Sequence, residues 1–214
     1  FAASAKNNGS QIFTHRKVVA IDYLNYGGYR VKTLKEDFNA NHLVIAAGAW
    51  CAEIGKMLGL NIPVVPVRGQ MWASERVPPK IFHTLSSVES QLQWNTDSGI
   101  NKTTPPYLTH KDNLRVTRHL YGRQTNGGEI IFGGDRQLVG YNKTPDQSGI
   151  WSNYRHASEV IPMLEQLNIR RTWAGLMPFA LDGKPIIGNI PLRDNLYILS
   201  GLGSSGFARG PMSG

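Results

Sequence analysis

The sequence predicts a mixed α/β fold that is split, with an α/β part at each end of the chain and a mostly antiparallel sheet inserted between them. Three observations predict it. Near the start, NHLVIAAGAW places a continuous apolar run, Leu43 to Ala47, ahead of small residues and a stretch with helical spacing. At the far end, LYILS is a second apolar run, followed directly by GLGSSG, Gly201 to Gly206. Between them, from about Val64 to Pro145, short alternating segments are separated by turns rich in Gly, Pro, Asn and Asp, the pattern of antiparallel strands.

The elements follow in chain order. FAASAKN reads as a helix end. QIFTHRKVVAIDY holds two short extended pieces, with Val18, Val19 and Ile21 the apolar core of the second. Asn25 to Gly28 supplies turn residues before the strand YRVKTL, giving a hairpin or small meander. The unbroken run from Leu43 is expected to be a strand buried on both faces in a parallel sheet. Trp50 to Leu58 then forms a helix that Gly59 ends. Ala46, Ala47 and Gly48, between strand and helix, lack the bulk that would hold a ligand away. The inserted part takes strands from VVPVRGQMWAS, IFHTLSS, YLTHKDNLRVTRHL and EIIFGGDRQLVG. One helix runs from about Ser148 to Ile161, and Pro162 closes it while opening a short second turn. RRTWAGLMPF and DGKPIIG lead back to LYILS and the glycine turn. The expected division is residues 1–63, 64–170 and 171–214.

At 214 residues the chain is long enough for a real hydrophobic core, and no apolar run approaches the length needed to cross a bilayer. No signal peptide is expected at FAASAKNNGS; the missing initiator Met and the stop just after a glycine turn suggest a fragment. The single cysteine, Cys51, leaves no disulfide framework or cysteine zinc cluster and reads as a small buried side chain at a helix start, in keeping with a cytoplasmic setting. The net charge of +8 raises anionic partners, but the basic residues are scattered and do not interleave with aromatics as a nucleic-acid groove requires. His110, His119 and His156 show no metal-ligand spacing, so no metal is expected.

GLGSSG has the form G-x-G-x-x-G after a strand, as a dinucleotide-binding turn does. Such a turn normally opens its fold, and the acidic residue expected some twenty positions further on has no place in a chain ending at Gly214. The turn keeps a physical meaning. Gly201, Gly203 and Gly206 permit positive φ and close backbone approach, while Ser204 or Ser205 is placed to cap the coming helix. A nicotinamide-dependent dehydrogenase using this turn, a basic anion- or nucleic-acid-binding module, and a tight turn with no ligand all stay open on the residues alone.

Taken together, AAGAW, PVRGQ, WAGLMPFALDGKPIIG and SGLGSSGFARGP resemble the second half of the D-amino acid oxidase-like flavoproteins, in the family's order over almost the whole chain. The resemblance implies FAD held by a split α/β domain, with a substrate domain whose sheet covers the flavin. It implies oxidation of a C–N bond of a small amine or amino acid by hydride transfer to flavin. Residues 1–63 and 171–214 would then be the middle and C-terminal parts of the FAD domain, and 64–170 the substrate domain. The resemblance puts Val18 beside the adenine, and Ala46, Ala47, Gly48 and Trp50 along the adenosine and ribose. Gly183, Pro185 and Gly188 run past the flavin; Gly201, Leu202, Gly203, Ser204, Ser205, Gly206 and Phe207 face its N1–C2=O2 edge. Read this way, GLGSSG is a flavin-edge turn.

Two departures follow. The family's pyrophosphate-gripping glycine turn belongs to the missing N-terminal part of the same protein, so the fragment alone is expected to bind FAD poorly. Amino-acid-oxidising members carry an arginine after WAGL that pairs with the substrate carboxylate; here it is Met177, which cannot bind one. Met177 and Tyr107 are the candidate catalytic-pocket residues, Tyr107 as a hydroxyl that some members turn toward the carboxylate or as an ordinary strand residue. Arg118 and Arg123 are read as solvated surface. With no cysteine near WAGLMP, FAD is expected to be noncovalent.

Overall fold

The computed structural model describes residues 1–25, 27–87, 105, 108–111, 114–115 and 118–214. An exposed helix α1 (Ala2–Asn7) precedes a three-stranded antiparallel meander of β1 (Val18–Tyr23), β2 (Tyr29–Thr33) and β3 (Asp37–Ala40). The Gln11–Phe13 stretch expected to be extended forms no strand, so the meander begins at Val18. Then come β4 (Leu43–Ile45), a 3₁₀ turn over Gly48–Trp50, and α2 (Cys51–Met57). Gly59, with φ of +68°, closes α2 as expected: its N–H reaches the Lys56 carbonyl and that of Leu60 the Gly55 carbonyl, satisfying the helix's last acceptors.

The long strand β5 (Val64–Arg76) is the axis of the inserted sheet. It is followed by β6 (Leu85–Ser86), β7 (His110–Lys111), β8 (Leu114–Arg115), β9 (Tyr121–Gln124) and β10 (Glu129–Gly133). Helix α3 (Gln147–Val160) starts at Asp146, whose carboxylate accepts the N–H groups of Ser148 (3.3 Å) and Gly149 (3.1 Å). Burial opposes ionisation of Asp146, but the hydrogen bond from the Ser148 hydroxyl, these two N–H groups and the charge of Arg68 outweigh it and hold its carboxyl below the usual range. Pro162 ends the helix and opens a 3₁₀ turn, Pro162–Gln166, as expected from the sequence. The chain closes with β11 (Ile169–Ala180), β12 (Ile186–Asn189), β13 (Leu196–Ser200) and α4 (Gly206–Ser213).

Pairing sorts these strands into separate sheets. β11, β5, β10, β9 and β6 form a five-stranded antiparallel sheet, while β12, β13 and β4 form a small mixed one in which β4 and β13 are parallel. β4 is shorter than expected and is an edge strand, so Ile45 enters the core while Val44 is 57% exposed; burial on both faces does not hold. Two apolar cores result. One gathers Ile21, Tyr29, Ile45, Cys51, Ile62 and Leu196; within it the Tyr29 hydroxyl donates to the Asp194 carbonyl at 2.7 Å, tying the meander to the loop before β13. The other lies between the five-stranded sheet and α3 and includes Trp72, Ile130, Phe132, Ile150, Ala157 and Leu164.

Candidate functional site

β4 and β13 lie side by side in the same direction, Leu43 opposite Leu196 and Ile45 opposite Ile198, so their carboxyl ends lie at one end of the small sheet. In open α/β sheets that is where ligands sit. Beyond β4 the chain turns at Gly48 (φ +55°); beyond β13 it turns at Gly201 (+72°) and Gly203 (+54°). These angles suit glycine and are costly for other residues. The two turns touch, since the Ser200 hydroxyl donates to the Gly48 carbonyl at 3.4 Å. Cys51 is fully buried at the start of α2, as the sequence suggests; burial pushes its thiol up, against the opposing pull of Ser200 and Ala47.

The second turn is wedged tightly. A side chain on Gly201 would meet the Lys184 carbonyl oxygen at 3.1 Å and Ala180 Cβ at 3.2 Å, and one on Gly203 would lie 3.5 Å from the Phe179 ring. Leu202 bridges to Phe179 on β11, which fixes the turn against the large sheet. Ser205 stands at the N-cap of α4, but its hydroxyl donates back to the Leu202 carbonyl at 2.9 Å and makes no cap bond. The expected serine cap is therefore not formed, because the 3₁₀ turn over Gly203–Ser205 points that hydroxyl the other way. The leading amides of α4 are left with no side-chain acceptor, at the positive end of the helix.

A cleft of about 240 Å³ opens here, lined by this turn together with Gly183, Phe179, Arg136 and Arg209. Its floor is one face of the five-stranded sheet. Side chains alternate along a strand, so Met177 and Phe179 share a face of β11. Met177 faces Gly69 of β5, where a side chain would lie 2.9 Å from its Cε. Arg136, just beyond β10, puts its guanidinium 6.0 Å from the centre of the Phe179 ring. It is only 5% exposed, and burial pushes it down to about 10, so it remains a cation at neutral pH. Its neighbours anchor the segment. Asp135 accepts from Gln70 Nε2 at 2.6 Å, Gln137 Oε1 accepts from Arg68 Nε at 3.0 Å and Nη2 at 2.7 Å, and the Arg136 N–H donates to Thr109 Oγ1 at 2.7 Å.

The structure brings the Gly48 turn against Ser200, which leads into the Gly201–Ser205 turn; that turn lines the cleft with Gly183 at its side, whereas Ala46, Ala47 and Gly48 are not among the lining residues. Gly206 begins α4, and Phe207 is exposed with its ring 5.4 Å from that of Phe1. Pro185 falls in the turn before β12, and Gly188 sits opposite Ile198, away from the cleft lining. Val18 starts β1 at the margin of the first core. Trp50 stacks on Tyr141 with ring centres 5.9 Å apart, and Lys143 Nζ lies 5.9 Å from its ring centre, so Trp50 meets the loop before α3. Arg118 pairs with Glu159 on the surface at 2.9 Å and Arg123 is exposed, as expected. Tyr107 lies outside the described residues. Sequence reasoning passed over Arg136, Phe179 and Arg209; the signal for Arg136 was a polar triplet, Asp135-Arg136-Gln137, directly after EIIFGG.

Comparison with known proteins agrees with this geometry. The chain is 28% identical over 214 residues to glycine oxidase of Bacillus subtilis (strain 168), covering 100% of the chain and 50% of that protein. It is 27% identical over 218 residues to the sarcosine oxidase beta subunit of Rhizobium meliloti (strain 1021), covering 100% of the chain and 45% of that protein. The fold matches a crystal structure of glycine oxidase from Geobacillus kaustophilus with a TM-score of 0.77 at 22% identity, over 99% of this chain and 49% of that one. L-proline dehydrogenase from P. horikoshii gives 0.74 at 25% identity, over 98% of this chain and 50% of that one. The chain thus spans about half the length of the relatives it matches. The family model for FAD-dependent oxidoreductases of the DAO type matches residues 1–214, and the chain belongs to that family.

Proposed function

We propose that the chain is part of an enzyme that oxidises a C–N bond of a small amine or amino acid by hydride transfer to noncovalently held FAD. The observation that carries this reading is the pair of parallel strands, β4 and β13, whose carboxyl ends lie together and both turn at positive-φ glycines, the second turn lining a cleft. The chemistry FAD supplies when bound is acceptance of two electrons. Negative charge gathers at the N1–O2 edge of its ring on reduction. The uncapped amides that begin α4, with Leu202 to Phe207 around them, suit such an edge: donors set in advance where charge develops cost no reorganisation.

In this reading Ala46, Ala47, Gly48 and Trp50 run along the adenosine, Val18 beside the adenine, and Gly183 and Gly188 along the flavin. Residues 1–63 and 171–214 belong to the FAD domain and 64–170 to the substrate domain; β5 to β10 and α3 support the last, while β11, which pairs along β5, runs across the boundary at 170 and joins the two parts. Met177 and Tyr107 line the substrate pocket, Met177 as an apolar wall. An amino acid or amine fits relatives named for glycine, sarcosine and proline. The lone thiol fits a cytoplasmic setting. The test is an absorbance spectrum of the purified intact gene product, followed by anaerobic addition of candidate amines and amino acids. The expected result is a flavin spectrum that bleaches with at least one of them. A colourless protein that takes up no FAD would overturn the reading.

A further inference from the structure

The sequence holds two Asn-Gly pairs, Asn8-Gly9 and Asn126-Gly127, and both asparagines are exposed. The folded chain treats them differently. We infer that Asn126 is a site of spontaneous deamidation, its side-chain amide attacked by the Gly127 backbone nitrogen, and that isoaspartate forms in this turn as the folded protein ages. The inference stands apart from the flavin reading and does not depend on it.

The two pairs are alike in sequence and opposite in bonding. Asn8 caps the end of α1, where its Nδ2 donates to the Ser4 carbonyl at 2.9 Å and the Gly9 N–H donates to the Lys6 carbonyl at 3.0 Å. The side chain is drawn back over the helix, and the nitrogen that would attack it is committed elsewhere. Asn126 and Gly127 lie in the turn between β9 and β10, which is closed by the bonds of their neighbours. The Gly128 N–H donates to the Thr125 carbonyl at 3.0 Å and the Thr125 N–H to the Glu129 carbonyl at 2.8 Å, with Gly128 at φ of +91°. That is a three-residue hairpin loop with its glycine in the left-handed position. The Gly128 carbonyl is held in turn by Gln124 Nε2 at 3.0 Å and by the Val77 N–H at 3.1 Å. Among the described residues, no hydrogen bond reaches the Asn126 side chain, the Asn126 carbonyl or the Gly127 N–H.

The chemistry needs only water. The Gly127 nitrogen gives up its proton and bonds to Asn126 Cγ; the bond from Cγ to the side-chain nitrogen breaks, and ammonia leaves carrying that proton. Water then opens the cyclic imide. Attack at Cγ gives aspartate, and attack at the Asn126 main-chain carbonyl carbon gives isoaspartate; nothing is oxidised or reduced. A glycine in the following position presents its nitrogen with no Cβ beside it. A hydrogen bond from that nitrogen, as at Gly9, has to be broken before it can attack. Isoaspartate lengthens the main chain inside the loop that the Gly128–Thr125 bond closes, and it adds a negative charge there.

The test ages the folded intact gene product at mildly alkaline pH beside a denatured sample. Mass spectrometry follows the tryptic peptides Gln124–Arg136 and Asn7–Arg16, with fragment ions placing any change at Asn126 or Asn8. Isoaspartate is scored by methyl transfer from S-adenosylmethionine, using a carboxyl methyltransferase specific for that residue. In the denatured sample the two asparagines are expected to convert at similar rates, since each precedes glycine. In the folded protein Asn126 is expected to convert at least about 10-fold faster than Asn8, the order that two hydrogen bonds would give. Gly127→Ala is expected to slow conversion at Asn126, and the fold accepts it: a Cβ there would meet only Thr125 Oγ1, at 3.7 Å. The inference is overturned if the folded protein keeps Asn126 as the amide over a period in which the denatured one loses it. It is equally overturned if Asn8 converts as fast as Asn126 in the folded chain, or if Gly127→Ala leaves the rate at Asn126 unchanged.

Discussion

The two faces of the five-stranded sheet carry opposite kinds of residue at alternate positions of the same strands. Toward α3, β5 presents Gln70 and Trp72. Trp72 is fully buried, donates from Nε1 to Asn153 Oδ1 at 2.9 Å and packs near Phe132, with ring centres 5.9 Å apart. Toward the cleft the same strand presents Gly69, with Met177 and Phe179 beside it and Arg136 at the margin. One face is filled, with Gln70, Trp72 and Asn153 each hydrogen-bonded; the other has a missing side chain, a flexible thioether and a buried cation. Period-two alternation lets one strand serve both, which keeps changes on the chemical face from reaching the packed one.

That contrast can be broken most forcefully at Trp72. Trp72→Ala is expected to cost about 3–5 kcal/mol through a cavity and a stranded Asn153 carbonyl, read as a fall in denaturation midpoint of the intact gene product. Less drastic is Gly201→Ala. Positive φ together with backbone oxygen at 3.1 Å is expected to cost about 1–3 kcal/mol, and FAD affinity, measured by equilibrium dialysis, is expected to fall with it. On the packed side, Asp146→Ala removes the α3 cap and is expected to cost about 1 kcal/mol near neutral pH. Its carboxyl sits lower in the folded than in the unfolded chain, so the capping contribution is present above the unfolded value and lost as pH falls through the folded one. Melting temperatures of variant and parent should therefore converge in acid. On the cleft face the stability effect of Gly69→Ala is also expected to be small, under about 1.5 kcal/mol, because the obstructing atom is the free end of Met177. Its consequence belongs to the cleft face, a changed KM with an almost unchanged melting temperature.

The sequence was most legible where a local rule coincides with the tertiary one. The run LYILS, the glycine stop at Gly59, the helix closed by Pro162 and the antiparallel character of the middle all follow from patterns a few residues long. The turn at Gly201 was legible for the same reason, since small residues after an apolar run mark close approach whatever the fold. Arg136 was not. Its burial comes from Thr109, twenty-seven positions away, and from Phe179 on another strand, so locally Asp-Arg-Gln reads as a solvated turn. The exposure of Val44 depends on which strand lies at a sheet edge, which alternation does not reveal. Ser205 satisfied the composition rule for a helix cap and failed the geometry, because a 3₁₀ turn intervenes before α4.

In the proposed function the turns after β4 and β13 meet the flavin together. Hydrogen–deuterium exchange on the intact gene product, compared with and without FAD, tests it most directly. Slowed exchange is expected at the amides of Ala46 to Gly48 and of Leu202 to Phe207 when FAD is present. Slowed exchange elsewhere in the protein, with both of these turns unchanged, would contradict it.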